Sequence, residues 1–245
     1  MSGLDVRMFT VGPIQENAYI VAADGADRAV MVDPGAEAER LLEATRELGV
    51  EIEAILVTHC HFDHIGAVAE VARASGAPVY CPEIERGVLA DINSWTPPGF
   101  GPFESYEADQ TVKGGERLSL AGLDIEVVFT PGHRPGHVTY AIAAAAPGRK
   151  ERVLLSGDVL FGGSVGRTDL PGGDWNVLER SIGGLLQAFP GETMVYPGHM
   201  GTTTLGRERD TNPFLQELCV AVGTPAADES AGLAARQAPD VAAGS

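Results

Sequence analysis

Thr58-His59-Cys60-His61-Phe62-Asp63-His64 holds four potential metal ligands within six residues, directly after the apolar run AILV. Side chains two apart in an extended segment point the same way, so His59 and His61 can share one cation. The chain must then turn into a helix starting near His64, which aims Asp63 and His64 elsewhere, towards a neighbouring cation. Imidazoles and carboxylates suit zinc, iron and manganese alike. A cation so held acidifies a bound water and polarises a carbonyl, and neither task requires a serine or cysteine nucleophile.

The chain has six histidines, and three lie in this run. His133 follows IEVVFT in Thr130-Pro131-Gly132-His133, and His199 follows MVY in Pro197-Gly198-His199. Asp158 repeats the arrangement after VLLS in Ser156-Gly157-Asp158. Any one of these alone reads as a turn residue or a helix cap. Together they place ligand-capable side chains just past the ends of four apolar strands, and they converge if those ends lie at one edge of the fold.

The elements that must position them alternate in type. MFTVG, NAYIVAA and RAVMVD read as strands before the turn at Asp33-Pro34-Gly35. From Ala36 to Leu48 the apolar positions Leu41, Leu42, Thr45 and Leu48 form a helical stripe that stops before Gly49. AILVT at 54–58 is a short buried strand, and Ile65, Val68, Ala69 and Ala72 have helical spacing up to Gly76 and Pro78. RLSL, LDIEVVFT, VTYAIAA, RVLLS and TMVY read as later strands, with a helix over 174–189 and a short helix near 213–220. This strand-then-helix order occurs over 4–90 and again over 116–220, which predicts two similar α/β halves facing each other. Residues 91–107 break all periodicity and carry Trp95, Phe100, Phe103 and Tyr106. This long loop either faces a substrate or packs on the surface. Residues 1–222 read as one domain, and the Ala-, Gly- and Pro-rich residues 223–245 as a flexible tail without chemistry.

Seventeen basic against 34 acidic residues leave a net charge of −17 over 245 residues. That balance excludes a generic nucleic-acid binder and disfavours anionic membrane surfaces. No apolar run reaches the roughly 18 to 20 residues that cross a bilayer, and MSGLDVRMFTVG does not resemble a secretory signal. The expectation is a soluble, cytoplasmic protein. Three cysteines at unrelated spacings fit reduced thiols rather than a disulfide framework.

The THxHxDH run, TPGH, SGD and PGH together resemble the metallo-β-lactamase superfamily, over residues 4 to about 220. Its fold is an α/β, αββα four-layer sandwich with the metal centre at one edge of two packed sheets. Within it the chain looks most like the glyoxalase II (hydroxyacylglutathione hydrolase) branch, through TPGHRPGH, GRTDLPGGD at 166–174 and GRERDTNPF at 206–214. The resemblance implies two divalent ions, zinc first, with iron or manganese also suited. One takes His59, His61 and His133, the other takes Asp63, His64 and His199, and Asp158 bridges them. It further implies a bridging hydroxide that attacks the carbonyl of a small-molecule thioester or ester, with Asp63 orienting the nucleophile.

Asp33 then braces the ligand loop, and His137 is a supporting or structural residue rather than a ligand. Arg167 either anchors the Gly-rich loop or contacts a substrate carboxylate. Trp95 and Phe100 are candidate substrate contacts, and Cys60 should face away from the ligands. Glyoxalase II carries a helical C-terminal domain that helps hold glutathione, and too little chain follows His199 for one here, so smaller thioesters fit equally. Two rivals remain within the superfamily: a mononuclear iron persulfide dioxygenase using His59, His133 and Asp158, and a hydrolase of another ester or lactone. A non-catalytic binding module is disfavoured because no ligand of the set is missing.

Overall fold

The computed structural model describes residues 3–145 and 152–216. The first half opens with three antiparallel strands, β1 (Leu4–Val11), β2 (Glu16–Ala23) and β3 (Arg28–Val32). Parallel strands β4 (Glu51–Leu56), β5 (Val79–Pro82) and β6 (Gln110–Val112) then extend the sheet in chain order. Helix α1 (Ala38–Leu48) connects β3 to β4, α2 (Phe62–Ile65) and α3 (Val68–Ser75) connect β4 to β5, and α4 (Arg86–Ala90) lies between β5 and β6. As the stripe predicts, α1 buries Leu41 and Thr45, and it ends at Gly49, whose left-handed backbone lets its N–H close on the Arg46 carbonyl at 3.1 Å.

The second half mirrors this arrangement. Strands β7 (Arg117–Leu120), β8 (Leu123–Phe129), β9 (Val138–Ala144) and β10 (Val153–Gly157) form an antiparallel meander. The small hairpin β11 (Leu160–Phe161) and β12 (Ser164–Val165) leads to α5 (Trp175–Ala188), which carries the chain to β13 (Met194–Pro197), parallel to β10. Asp174 caps α5 by accepting from the Val177 N–H at 3.1 Å. Strand β14 (Thr203–Thr204) closes the edge, followed by α6 (Leu205–Thr211) and a single 3₁₀ turn at Pro213–Leu215. The remainder of the helix expected near 213–220, and the tail expected at 223–245, lie outside the described residues.

Side chains alternating along the strands divide the core into layers. Tyr19, Val21, Val30, Val32, Ala54 and Leu56 of one sheet meet Val127, Val138, Tyr140, Ile142 and Leu155 of the other. Their neighbours Ile20, Met31 and Ile55 face the opposite way, against α1 and α3, while Ala141 and Leu154 face α5. The result is the predicted αββα sandwich. Each fully buried Val, Leu or Ile contributes about 1.5–3 kcal/mol, and Leu56→Ala at the centre would cost about 2–5 kcal/mol.

Several elements were not legible as such. Strands β5, β6, β11, β12 and β14 are two to four residues long, too short to show a period. The aperiodic stretch from 91 begins with a 3₁₀ turn, Ile92–Trp95, because buried Ile92 anchors it and the Thr96 hydroxyl donates to the Ile92 carbonyl at 2.9 Å. Past Trp95 it is irregular up to β6, as expected. No helix among the described residues is long and apolar enough to cross a membrane.

Candidate metal centre

Four of the strands end at one edge of the sandwich, and each delivers a ligand-capable residue there. His59 follows β4, His133 follows β8, Asp158 follows β10 and His199 follows β13. Cross-sheet backbone bonds hold these ends together: the Val138 N–H donates to the Thr58 carbonyl at 2.9 Å and the Asn17 N–H to the Gly198 carbonyl at 2.7 Å. Two buried tyrosines add a reciprocal tie. Tyr19 on β2 donates to the Pro197 carbonyl at 2.6 Å, and Tyr140 on β9 donates to the Val57 carbonyl at 2.9 Å. Each sheet thereby positions a ligand-bearing turn of the other.

Three overlapping trios of donors gather at this edge, His59, His61 and His133 in the first, Asp63, His64 and His199 in the second, and buried Asp33, His59 and His64 in the third, with the donor atoms of each trio within 4.8 Å of one another. In the first, His61 Nδ1 lies 3.1 Å from His59 Nε2 and 2.8 Å from His133 Nε2. In the second, Asp63 Oδ2 lies 3.2 Å from His199 Nε2 and 3.7 Å from His64 Nε2. Asp158 stands between these two, with Oδ2 at 3.5 Å from His133 Nε2 and 3.7 Å from His199 Nε2, and Oδ1 at 3.4 Å from His64 Nε2. The turn after His61 sends Asp63 and His64 into the second trio, as the local geometry of the run predicts.

The supporting contacts are equally specific. Asp33 accepts from the Thr58 N–H at 2.7 Å and the Thr58 hydroxyl at 2.6 Å, and lies 3.0 Å from His64 Nδ1. It therefore fixes both the strand end before His59 and the ring of His64. His137 Nε2 accepts from the Asp158 N–H at 3.1 Å, and its other nitrogen meets the Thr130 hydroxyl at 3.1 Å. His133 Nδ1 meets the Arg167 carbonyl at 2.7 Å, so that residue orients His133 through its backbone. The guanidinium of Arg167 is paired instead with Asp169, by two contacts of 2.7 Å on the surface. Cys60 points away from the centre into the helix-side core, its sulfur 3.5 Å from that of Cys81.

Electrostatics differ between the first two trios. Burial, reinforced by neighbouring rings, pushes His59 well down and His61 to about 3, and burial also lowers His133. These rings are neutral and free to ligate. Burial would depress His64 too, but the adjacent charges of Asp158 and Asp63, with Asp33 at its other nitrogen, carry it well above the usual imidazole range. His199 is raised in the same way, burial being outweighed by its bond to Asp63 and the charge of Asp158. Asp158, which burial would raise, is instead held below the ordinary carboxylate range by His64 and His133. Protons in the second trio thus balance carboxylates gathered where a divalent cation would do the same.

His64 Nε2 and Asp158 Oδ1 are buried yet lack a hydrogen-bond partner of good geometry among the described residues. Such groups require an explanation, and a donor set of imidazoles and carboxylates around two adjoining points fits a pair of divalent ions. Two glycines make room for this arrangement. A Cβ on Gly198 would lie 2.3 Å from Asp158 Oδ1, and one on Gly35 would lie 1.5 Å from the Asp63 carbonyl oxygen.

A description of the metallo-beta-lactamase superfamily matches residues 11–199. The chain belongs to that superfamily. Among its relatives in the superfamily, a probable metallo-hydrolase, YqgX of Bacillus subtilis, is 40% identical over 85% of this chain and 96% of its own length. The hydroxyacylglutathione hydrolase GloC of Haemophilus influenzae is 32% identical over 86% of this chain and 98% of its own. Of solved structures, the BLEG-1 B3 metallo-beta-lactamase superposes with a TM-score of 0.79 at 40% identity, covering 86% of this chain and all of that one. TTHA1623 in a di-iron-bound form gives 0.67 at 41% identity, with the same coverage.

A cavity of about 650 Å³ opens over His61, Asp63, His133, Asp158 and His199, and the predicted contacts Trp95 and Phe100 line it together with Arg167. Reading the sequence missed several residues that shape this site. Asn17 donates to the carbonyls of Pro197 at 3.1 Å and Met200 at 2.8 Å, holding the turn that carries His199. Buried Glu85 accepts from Arg134 at 3.0 Å and from the Gly136 N–H at 3.1 Å, clamping the loop after His133. Neither stands out in the sequence, since Asn17 is uncharged and Glu85 lies in the charged run Glu83-Ile84-Glu85-Arg86, where residue type does not identify the partner.

Proposed function

We propose that the protein is a dinuclear metal-dependent hydrolase that cleaves thioesters. The observation that carries this reading is the pair of donor trios sharing Asp158 at the floor of one cavity. In this reading His59, His61 and His133 hold one ion, Asp63, His64 and His199 hold the other, and Asp158 serves both. Bound there, two divalent ions supply hydroxide at neutral pH and an electrophile for a carbonyl oxygen.

The chain's own groups do the remaining work. Asp63, fixed by His199 at 3.2 Å, keeps a carboxylate oxygen at the cavity floor that accepts a hydrogen bond from the attacking water and orients it. His133, fixed by the Arg167 carbonyl, and His64, fixed by Asp33, keep their second nitrogens aimed at the centre. The apolar wall around the floor limits water at the scissile bond to what the floor itself positions. The products are a carboxylate and a thiol, which leave through the open side.

The relative named as a hydroxyacylglutathione hydrolase is matched over almost its whole length, which supports a thioester rather than another ester. The completeness of the second trio favours hydrolysis over single-iron oxygen chemistry. The test pairs metal content with turnover: two ions per chain with thioester cleavage is expected, and His61→Ala should lower both. One iron per chain with oxygen consumption on a glutathione persulfide, and no thioester cleavage, would overturn the reading.

A further inference from the structure

Above the metal floor, the cavity wall is built by Ile14, Phe62, Trp95, Phe100, Leu170 and Pro171. Among the described residues the arginines lining it are Arg134 and Arg167, with no lysine, and both are engaged within the protein. Arg134 is almost fully buried, bonds Glu85 through Nε at 3.0 Å and Nη2 at 2.9 Å, and donates through Nη1 to the Pro171 carbonyl at 3.1 Å. The Trp95 ring lies over the same guanidinium at 5.5 Å, so Arg134 supports the indole instead of presenting charge to a ligand. Arg167 is held fork to fork by Asp169. A substrate carboxylate would meet one guanidinium spent on Glu85 and Pro171 and another whose charge Asp169 already balances, in a chain whose net charge of −17 repels anions.

We infer that this cavity selects an uncharged, apolar acyl group, aryl or medium-chain alkyl, seated between Trp95 and Phe100, with the thiol half directed to solvent. The inference rests on the thioester reading and names its substrate class. Trp95 and Phe100 are 53% and 37% exposed without a ligand, and burying them against an apolar group supplies binding energy that a charged tripeptide arm would not. Phe62 extends the same surface, its ring 4.7 Å from that of Phe100. Cleavage adds water across the acyl–sulfur bond: the hydroxyl joins the acyl carbon, and the proton leaves with the thiol.

The experiment uses the metal-loaded full chain and acyl thioesters of one small neutral thiol, N-acetylcysteamine, from acetyl to hexanoyl and benzoyl. The expected result is a kcat/KM that rises about three- to fourfold per added methylene, with Trp95→Ala and Phe100→Ala each flattening that slope. A flat or falling series, or at least tenfold preference for the glutathione thioester of the same acyl group, overturns the inference. Non-hydrolysable alkyl thioethers provide a second readout through Trp95 fluorescence in a Trp175→Phe background. Thioether binding that tightens with chain length while no thioester is cleaved upholds the apolar site and rejects the hydrolase. Cleavage without any chain-length effect on binding or turnover does the reverse.

Discussion

Glu85→Gln isolates the clamp beside the metal centre. Glu85 is fully buried, and its carboxylate takes both Arg134 at 3.0 Å and the Gly136 N–H at 3.1 Å. The amide keeps the volume and can still accept from Gly136, but its NH₂ faces a guanidinium that also donates. Removing one partner of a buried ion pair costs about 3–5 kcal/mol, mostly because the other charge is left uncompensated. For a chain of this size each kcal/mol lowers Tm by about 2–4 °C, giving a fall of about 6–20 °C. Urea denaturation of the wild type, Glu85→Gln, Arg134→Met and the double variant supplies the coupling energy. The double variant should lose at least about 2 kcal/mol less than the sum of the single losses, because it buries no orphaned charge. A Glu85→Gln protein within about 1 kcal/mol of wild type, or additive losses, would refute the assignment of this pair as a compensated buried charge.

Other expectations concern the ligands directly. Asp33→Ala, which removes the partner of His64 and Thr58, should weaken metal affinity about 10- to 100-fold in competition with a chromophoric chelator; unchanged affinity argues against bracing. Gly198→Ala, whose Cβ would lie 2.3 Å from Asp158 Oδ1 and 2.6 Å from His64 Cε1, should load fewer than two ions while its circular dichroism stays native. Stripping the metals from a protein held at 100 times their Kd removes about 2.7 kcal/mol per site, so Tm should fall by about 5–11 °C for each ion lost. His64 and His199 are both raised above the ordinary imidazole value by the carboxylates around them, so in the metal-free protein they bind protons more tightly than free imidazoles do. Ligation must expel those protons, so affinity should strengthen as pH rises above 6.5, the ordinary imidazole value. Calorimetry in buffers of different ionisation enthalpy reads the release, and a buffer-independent heat contradicts it.

What the sequence made legible follows a physical divide. His59, His61, His133, Asp158 and His199 could be found because each sits one short turn past an apolar run, and strand ends in a layered fold share an edge. The two α/β halves were legible from apolar strand runs alternating with the stripes of α1 and α5, whereas the four-layer arrangement was implied by the resemblance to the superfamily. Asn17, Tyr19, Glu85, Arg134 and Tyr140 were not, because their roles exist only through partners distant in the chain, as with Tyr19 and Pro197, 178 positions apart. Helix α6 was hidden for a related reason: LGRERDT buries only Leu205 and Glu208, and Glu208 matters because it accepts from the Gly163 N–H at 2.7 Å and from Asn212 at 2.9 Å. Arg167 shows a role passing from side chain to backbone, which residue type alone cannot reveal.

Anomalous diffraction from metal-loaded crystals addresses the shared centre most directly. Two peaks about 3.5–4 Å apart are expected, one within bonding distance of His59, His61 and His133, the other of Asp63, His64 and His199, with Asp158 reaching both. A single peak on His59, His133 and Asp158, with the second trio left unligated at saturating metal, would contradict the account.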